Sequence, residues 1–458
     1  MKRLTIAVLA ALMLLAAASP AHAIEVEVRG DFHFAYFWQN NAYTFFDEKT
    51  AESFMARQRT RLTVEFIASE ELRGVIQFHT SSMWWGDEDS GAALDTTSQS
   101  FYVRQAYIDW QWPDTALRVK MGMQNVTLPG AVAGSPVLND TAAGVNLSYA
   151  FNDTVSASLG WYRPGNRANE VHGSVDTFIL MVPVSGEAFS LTPWGEITAI
   201  GSNASLGDNK AATRFLAGDE FEDRAYMWHA GLAAELALTE RLSLKADAIY
   251  GAVSSRSDDP ETGGYFLDLK LACAMELGSL ALAAWYSSGN DEDYDYDRDT
   301  RSSLRGLDGG MMPSLVNSND GNAGWGMSSL GFWGNTPLLG GGFVSQSGIG
   351  TWGLGVMFEN FSILNDLSHN ARLLYYRGTS HRDASREVWL AGSNLGTFMN
   401  EKDAAVELNL DSKYRIYRNL SMTVDLAVVF MDWDSGTRSE HNVDDHMWRC
   451  GVGFQYNF

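Results

Sequence analysis

The chain has 458 residues, with 33 Lys and Arg against 56 Asp and Glu, which gives a formal net charge of −23. This charge excludes a general nucleic-acid binder, because such a protein needs a basic face to displace phosphate counterions. Apolar residues make up 45 % of the chain and aromatic residues 12 %, with only 10 prolines, which excludes a disordered chain. The length fits several ordinary domains or one large barrel, so it does not choose between them.

The first 23 residues have the pattern of a secretory signal peptide. Met1–Arg3 is short and basic, an apolar run follows over residues 4–18, and Ala21-His22-Ala23 is a small-x-small site, so we predict cleavage after Ala23. The apolar run is shorter than the ~20 residues of a spanning helix. No Cys follows the cleavage site, which argues against a lipoprotein. The predicted organisation is a signal peptide over residues 1–23 and one barrel domain over residues 24–458.

No later stretch has the length and apolarity of a transmembrane helix. An exported chain that crosses a membrane without helices must form a closed β-barrel, because every backbone group in the hydrocarbon needs a partner. Cys273 and Cys450 are the two cysteines, and both lie in strand-like runs. We predict that they stay unpaired as small apolar side chains.

Period-two alternation of apolar residues predicts strands throughout the chain, separated by connections of two lengths. Eight short turns lie near residues 70–71, 113–114, 152–153, 185–187, 239–240, 277–278, 365–366 and 418–419. Nine long polar connections lie near residues 40–53, 86–97, 125–140, 164–174, 201–224, 254–263, 289–350, 378–402 and 434–444. This predicts an all-β transmembrane antiparallel barrel of about 16–18 strands with short periplasmic turns and long extracellular loops. A soluble β-sandwich also alternates, but nine long loops on one rim favour the barrel.

Charged residues share the face opposite the apolar one on several predicted strands. If Leu62, Val64 and Phe66 face lipid, the alternate residues of that strand face the lumen. Arg or Lys facing lipid at mid-bilayer costs ~2–4 kcal/mol, so the inward assignment is favoured. The candidate pore-lining and eyelet residues are Arg57, Arg59, Arg61, Arg118, Lys120, Glu407 and Asp411. We expect the arginines to face carboxylates across a narrow eyelet; the alternative is ion-paired lumen filler away from the narrowest point.

Arg104 does not fit a single register of its strand. It alternates with Tyr102, Ala106 and Ile108 on one face, whereas Gln105 and Asp109 occupy the other. Two interpretations stay open. The strand lies in a subunit interface with Arg104 pointing outward, or a β-bulge reverses the register.

Two connections are candidates for a loop that folds into the barrel. The connection Asn125–Asp140 contains Pro129, Gly130 and Pro136, and the much longer Gly289–Gly350 connection is the competitor. The latter begins with the alternating carboxylates of Asp291–Asp299, which could hold Ca²⁺ or Mg²⁺, or could simply be a solvated acidic surface. The spacing matches no calcium loop, so we predict no metal site.

The final strand has an apolar face that ends at Phe458, opposite a small and polar face that contains Arg449, Gly451 and Gly453. Aromatic residues near strand ends predict girdles at the two membrane interfaces. They are Tyr36, Trp38, Trp84, Trp85, Trp110, Trp112, Trp161, Tyr162, Trp285, Tyr286, Trp433 and Trp448.

Together these features resemble the outer-membrane homotrimeric porins of sulfate-reducing bacteria. The resemblance rests on the C-terminal run 451–458, the run 101–110 and the hairpin 407–430. It implies a homotrimer of water-filled barrels for passive uptake of small hydrophilic solutes. It also implies lipopolysaccharide as a neighbour and Phe458 as the signal read by the barrel-assembly machinery. General porins usually have about 16 strands. The predicted count is nearer 18, which leaves a channel specific for a sugar or organic anion as the alternative.

Enzyme hypotheses find little support. The chain has no Gly-x-Ser-x-Gly, His-Glu-x-x-His or Cys-x-x-Cys motif, and the Gly-rich run 348–353 enters a strand where a dinucleotide site should follow one. Nothing points to a cofactor, and no plug domain precedes the first strand. The basic cluster predicts weak anion preference at the eyelet despite the acidic total, because salt screens charges beyond ~8–10 Å.

Overall fold

The computed structural model describes residues 24–39, 53–80, 83–88, 92–94, 101–132, 134–166, 173–201, 224–255, 262–292, 300–301, 304, 306, 350–383, 399–434 and 445–458. The predicted signal peptide, residues 1–23, lies outside these ranges. The described ranges contain no helix whose length and apolar character would let it span a bilayer.

Eighteen long strands form the described part of the fold, which confirms the predicted all-β class and the upper end of the predicted strand count. They are β1 (Glu25–Gln39), β2 (Ser53–Ser69), β3 (Leu72–Thr80), β4 (Phe101–Gln111), β5 (Leu117–Thr127), β6 (Asn139–Ala150), β7 (Ser156–Asn166), β8 (Ser174–Met181), β9 (Phe189–Ile200), β10 (Ala225–Ala237), β11 (Leu242–Ser255), β12 (Thr262–Met275), β13 (Gly278–Ser287), β14 (Thr351–Leu364), β15 (Leu367–Gly378), β16 (Ala404–Tyr417), β17 (Leu420–Asp432) and β18 (His446–Asn457). Three two-residue strands, Met83–Trp84, Val184–Ser185 and Thr300–Arg301, pair with β2, β9 and β12.

Each long strand pairs antiparallel with the next, and β18 pairs with β1 from Asp31↔Asn457 to Gln39↔Arg449. The sheet is therefore a closed barrel with no free edge. Phe458 continues the seam, because its backbone exchanges hydrogen bonds of 2.9 and 3.0 Å with Gly30. Its ring packs 5.6 Å from that of Phe32.

The tight turns of the barrel follow from local residue chemistry. The β14–β15 turn has only two residues between its strands, and Asp366 there has a left-handed backbone with φ of 65°. Asp tolerates this conformation because its short polar side chain bonds locally. These turns share one rim with both described termini, whereas the long connections share the other.

Side chains alternate between an outer apolar surface and the barrel interior. On β1, Phe32 and Trp38 are exposed on the outside, whereas His33, Ala35 and Phe37 are buried inside. The same alternation holds on β18, where Arg449 points inward, as its strand pattern predicts. Free Cys273 and Cys450 are half-buried.

The girdle prediction is wrong for four of its aromatic residues, of which Trp433 packs against the buried interior cluster. Trp285 and Tyr162 are buried in the interior at 3 % and 5 % exposure, and Trp84 stacks on inward-facing Arg57. Their sequence neighbours Tyr286, Trp161 and Trp85 are the exposed ones: Trp85 47 %, Trp161 40 % and Tyr286 37 %. Adjacent strand residues point to opposite faces, so only one aromatic residue of each pair reaches the outside.

Candidate pore wall and constriction

A row of three arginines follows the inner face of β2. Arg57, Arg59 and Arg61 alternate with outward residues, so their Cα atoms are spaced at ~6.6 Å along the strand. Arg57 and Arg59 are only 3 % exposed. We call Arg57, Arg59 and Arg61 the arginine row. It concentrates positive charge on one narrow strip of the interior.

Aromatic rings hold two of the neighbouring guanidinium groups. Arg57 lies over the Trp84 ring at 4.2 Å, and Arg449 on β18 lies over the Phe37 ring at 4.1 Å. Cation–π contacts of this kind orient a guanidinium without neutralising its charge. Arg449 therefore extends the positive electrostatic field of the arginine row across β1 to β18.

A β-bulge resolves the position of Arg104. The β3–β4 register shifts between Gln77↔Gln105 and Phe78↔Val103, which leaves Arg104 opposite no residue. Its Nη1 donates to Oε1 of Gln77 at 3.1 Å, and Gln77 in turn donates to inward-facing Thr63. Arg104 thus points into the lumen. The bulge interpretation is confirmed, and the outward interface position of Arg104 is wrong.

A carboxylate cluster lies on the neighbouring wall formed by β15–β17. Glu407 accepts a 3.0 Å hydrogen bond from the Tyr376 hydroxyl, and Asp411 forms a 2.6 Å ion pair with Arg372. Asp425, the cross-strand partner of Asp411, is also fully buried. We call Glu407, Asp411 and Asp425 the carboxylate cluster. It is held in place by donors from the adjacent strands.

The carboxylate cluster does not lie opposite the arginine row. Only β17, β18 and β1 separate β16 from β2, which is roughly 19 Å along the wall at the usual strand spacing. Glu407 and Asp411 therefore do not face the arginine row across the lumen. The strand order around the barrel brings the two groups to adjoining walls, and Arg449 lies between them.

Arg118 and Lys120 lie nearer the short-turn rim. Arg118 donates to Asp109 at 2.6 and 2.7 Å, and Nζ of Lys120 lies 4.2 Å from the Tyr107 ring. Asp109 also binds Arg73, whose other partner is Glu65. The side chains of Arg118 and Lys120 face the lumen beside these linked ion pairs. Arg29 on β1 joins the same network through its ion pair with Glu65. Their charges are thus largely matched by carboxylates.

The connection between β5 and β6 folds into the barrel. The backbone N–H of Ala131 donates to both carboxylate oxygens of Asp247 at 2.8 and 2.9 Å, and that of Val132 donates at 2.8 Å. Asp247 lies on β11, five strands beyond β6, so the segment must cross the interior to reach it. We call this connection the constriction loop; the structure describes its residues 128–132 and 134–138.

The constriction loop rests on apolar side chains. Its own Leu128, Val132 and Val137 are buried and join one cluster with inward-facing residues of β8–β14. These wall residues are Ile179, Trp194, Met227, Ile249, Phe266, Trp285 and Met357. Leu304, from the long β13–β14 connection, joins the same cluster, and a Cβ added to Gly306 would lie 3.0 Å from the Pro136 carbonyl oxygen. Both candidate connections therefore contribute to the filling of this side.

A pair of polar side chains on β9 and β10 is also buried within the apolar side. His229 Nδ1 is 2.7 Å from Glu196 Oε2, and neither side chain is exposed. The Thr198 hydroxyl bonds the same carboxylate. These residues come from β9 and β10, so spacing along the sequence does not reveal the pair.

The predicted acidic connection lies mostly outside the described residues. Of Asp291–Asp299, the structure describes Asp291 and Glu292. Ligand atoms of Glu292, His381 and Asp383 lie within 4.8 Å of one another at the long-loop rim. The three side chains are exposed or half-buried, an arrangement that acidic surfaces adopt without a metal, and it supports no metal assignment.

Several residues of the site have no signal in the linear sequence. Arg73, Arg372, Trp84 and Asp247 become important only through partners on other strands. Arg449 and Asp425 could have been identified, because each is the charged member of a predicted inward face. The period-two pattern predicts whether a side chain points inward or outward. It does not predict which side chain of another strand contacts it.

Comparison with known proteins identifies the fold. No family model and no curated protein matches the chain. Among solved structures, it is similar to OpdL of Pseudomonas aeruginosa, with 11 % identity, a TM-score of 0.56, and coverage of 95 % of this chain and 99 % of that one. OpdO of the same organism has 14 % identity, a TM-score of 0.55 and coverage of 95 % and 97 %. OpdK of P. aeruginosa, solved with vanillate, has 12 % identity, a TM-score of 0.53 and coverage of 94 % and 98 %.

Proposed function

We propose that the chain is an outer-membrane channel for passive diffusion of small hydrophilic solutes and ions, with an anion preference set by the arginine row. The carrying observation is a closed eighteen-strand barrel with an apolar outside, a charged inner wall and a loop folded across its interior. A closed barrel satisfies all its backbone groups within lipid, and the polar interior provides a path for water. No catalytic step is part of this proposal.

The anion preference follows from where the charges lie. The arginine row, Arg104 and Arg449 place five guanidinium groups on the inner face between β18 and β4, where Asp31 is the cross-strand partner of Arg61. Arg118 lies nearer the short-turn rim and pairs with Asp109. The constriction loop carries no charged side chain of its own. Since interactions beyond ~8–10 Å are screened at physiological salt, the local positive field outweighs the acidic total.

A substrate-specific channel for an organic anion is the second candidate. The Arg57–Trp84 and Arg449–Phe37 stacks place flat aromatic surfaces beside guanidinium groups, an arrangement suited to a carboxylate with an attached ring. The similar protein OpdK was solved with vanillate, an aromatic carboxylate. A sugar-specific channel fits less well, because the described wall is dominated by charge.

Further features are inferred from the sequence. They are the signal peptide cleaved after Ala23, recognition of Phe458 by the barrel-assembly machinery, contact with lipopolysaccharide, and assembly as a homotrimer. The position of Phe458 at the β1–β18 seam supports a role in barrel closure. Trimerisation rests on the resemblance to homotrimeric porins, and electrophoresis of unboiled protein against a boiled control tests it.

The test of the proposed function is single-channel current in a planar bilayer, with reversal potential measured in a salt gradient. We expect stable steps with anion preference; steps in groups of three support a trimer. Small steps blocked by benzoate but not by glucose support the specific channel. Absence of current in correctly folded, heat-modifiable protein contradicts both forms of the proposal.

A further inference from the structure

Two buried aspartates lie directly beside each other beneath the constriction loop. Asp247 on β11 and Asp268 on β12 are cross-strand partners, and they are 4 % and 5 % exposed. Direct cross-strand neighbours with like charge destabilise a sheet, and burial increases that cost. The pair therefore needs a compensating partner.

The two carboxyl groups have very different surroundings. Asp247 receives the N–H groups of Ala131 and Val132, three contacts in all, which stabilise its ionised form. Within the described structure, no group outside the pair donates a hydrogen bond to Asp268, and the N–H group next to its carboxyl is the backbone N–H of Asp247. The Asp268 side chain does contact that of Asp247 within hydrogen-bonding reach. A proton on one of the two carboxyl groups turns such a contact into a hydrogen bond and removes the repulsion between like charges.

No described cation neutralises Asp268. Its partner on β13 is Trp285, and the partner of Asp247 on β10 is Ala233. The nearest lysines on the two strands, Lys245 and Lys270, form ion pairs of 2.9 and 2.7 Å with other carboxylates. The titratable groups facing this region from the described strands are Glu196 on β9, Glu235 and His229 on β10, Lys245 on β11, Lys270 on β12 and Glu359 on β14. The constriction loop contributes none.

We propose that Asp268 is protonated and donates a hydrogen bond to Asp247, and that this proton keeps the constriction loop seated. The proton leaves one negative charge on the pair, which the loop N–H groups hold. Loss of the proton at alkaline pH places a second charge beside the first, in a site with little water. The repulsion opens the site to water and loosens the loop, so pore current becomes pH-dependent.

Infrared spectroscopy detects the proton without relying on transport. We expect the purified barrel at neutral pH to show a protonated-carboxyl C=O band that is absent from D268N and retained in D176N. Asp176 is a matched control, because it is a carboxylate paired with Arg163 on the outer surface. If wild type minus D268N contains no such band, the proposal is overturned, and a bound cation or water must compensate Asp268.

Two measurements then connect the proton to the loop. Hydrogen exchange of a peptide spanning residues 128–138 should rise with pH more steeply than the intrinsic base-catalysed rate in the pH range where the wild-type band disappears, because the loop loses protection. Current noise should rise in the same range for wild type and D176N but stay constant for D268N, whose amide still donates to Asp247. A D268N channel that keeps the full pH dependence contradicts the proposal.

The experiment remains decisive if a variant or the proposed function fails. Infrared titration and loop exchange of the wild type need no substitution, so misfolding of D268N leaves the test intact; unchanged loop exchange while the band disappears overturns the proposal. The proposal rests on the channel function only for the current measurement. A barrel that carries no current but shows the proton-linked loop exchange contradicts the proposed channel function. The same result supports the proposal that the shared proton of Asp247 and Asp268 holds the constriction loop.

Discussion

The two sides of the barrel interior differ in chemistry, although both come from strands with the same alternating pattern. On β15–β18 and β1–β5 many inward residues are charged, as in Arg59, Arg372 and Asp425, and apolar ones such as Phe37 and Val429 lie among them. On β8–β14 they are mostly apolar, as in Ile179 and Phe266, and the constriction loop covers them. Most charged residues are thus gathered on one side of the interior, and the apolar side supports the constriction loop.

This difference indicates how a wide barrel is narrowed. Apolar residues on the inner wall gain from removal of water, which draws the loop to that side. Glycines opposite the large rings make room for this packing, since a Cβ on Gly353 would lie 2.3 Å from the Trp285 ring. Charged residues would lose hydration under such a loop, so it is favourable for most of them to lie on the other side of the interior, where pairs such as Arg372–Asp411 form.

The largest expected effect is on ion selectivity, from removal of the arginine row. In the triple variant R57Q/R59Q/R61Q, the remaining charges near the path are dominated by carboxylates, so the reversal potential in a salt gradient should change sign from anion to cation preference. The matched control is R29Q/R73Q/R118Q, which removes three arginines that are already ion-paired near the short-turn rim. Equal shifts in the two triple variants would show that position in the wall does not matter.

The next effect is on stability, from breaking a buried ion pair of the charged side. Arg372→Met removes the 2.6 Å partner of buried Asp411. Loss of one partner of a buried pair costs about 3–5 kcal/mol, which urea unfolding followed by tryptophan fluorescence measures. Arg372→Lys, which keeps the charge, should lose less. A Met variant as stable as wild type would mean that water compensates Asp411.

A smaller effect on stability is expected from removing one methyl group on the apolar side of the interior. Ile179→Val should lower the unfolding free energy by about 0.5–1.5 kcal/mol, because it removes one methyl group from the loop-covered cluster. Ile197→Val on the outward face of β9, where Ile197 is 54 % exposed, is the control and should cost less. Ion selectivity should be the same in both. A selectivity change in Ile179→Val would show that the apolar side also borders the conducting path.

The smallest effect is expected at the short-turn rim. The Arg118–Asp109 pair has one partly exposed member, and pairs of this kind contribute about 0–1 kcal/mol. Arg118→Gln should therefore change both the unfolding free energy and the reversal potential little. A large shift of the reversal potential in this variant would place the narrowest point near the rim and not at the arginine row.

Much of the architecture could be predicted because it depends on local chemistry. The alternation of Leu62, Val64 and Phe66 with arginines predicts which face of β2 points inward, and the two lengths of connection predict the topology and nearly the strand number. Arg104 could not be assigned this way. Its direction depends on a bulge, which is a property of the β3–β4 pairing and not of either strand alone.

The amino-acid sequence by itself determined the closed barrel, its two rims and the inward direction of the arginine row. The reason is that apolar and polar residues alternate with a period of two along each strand. Only the tertiary structure decided that the carboxylate cluster adjoins this row and does not face it. It also decided that the constriction loop binds Asp247 through its backbone N–H groups. Both depend on which strands become neighbours around the barrel and on which wall gains most from being covered. Those are energies of contact between segments more than a hundred residues apart, as with Ala131 and Asp247, and no local pattern encodes them.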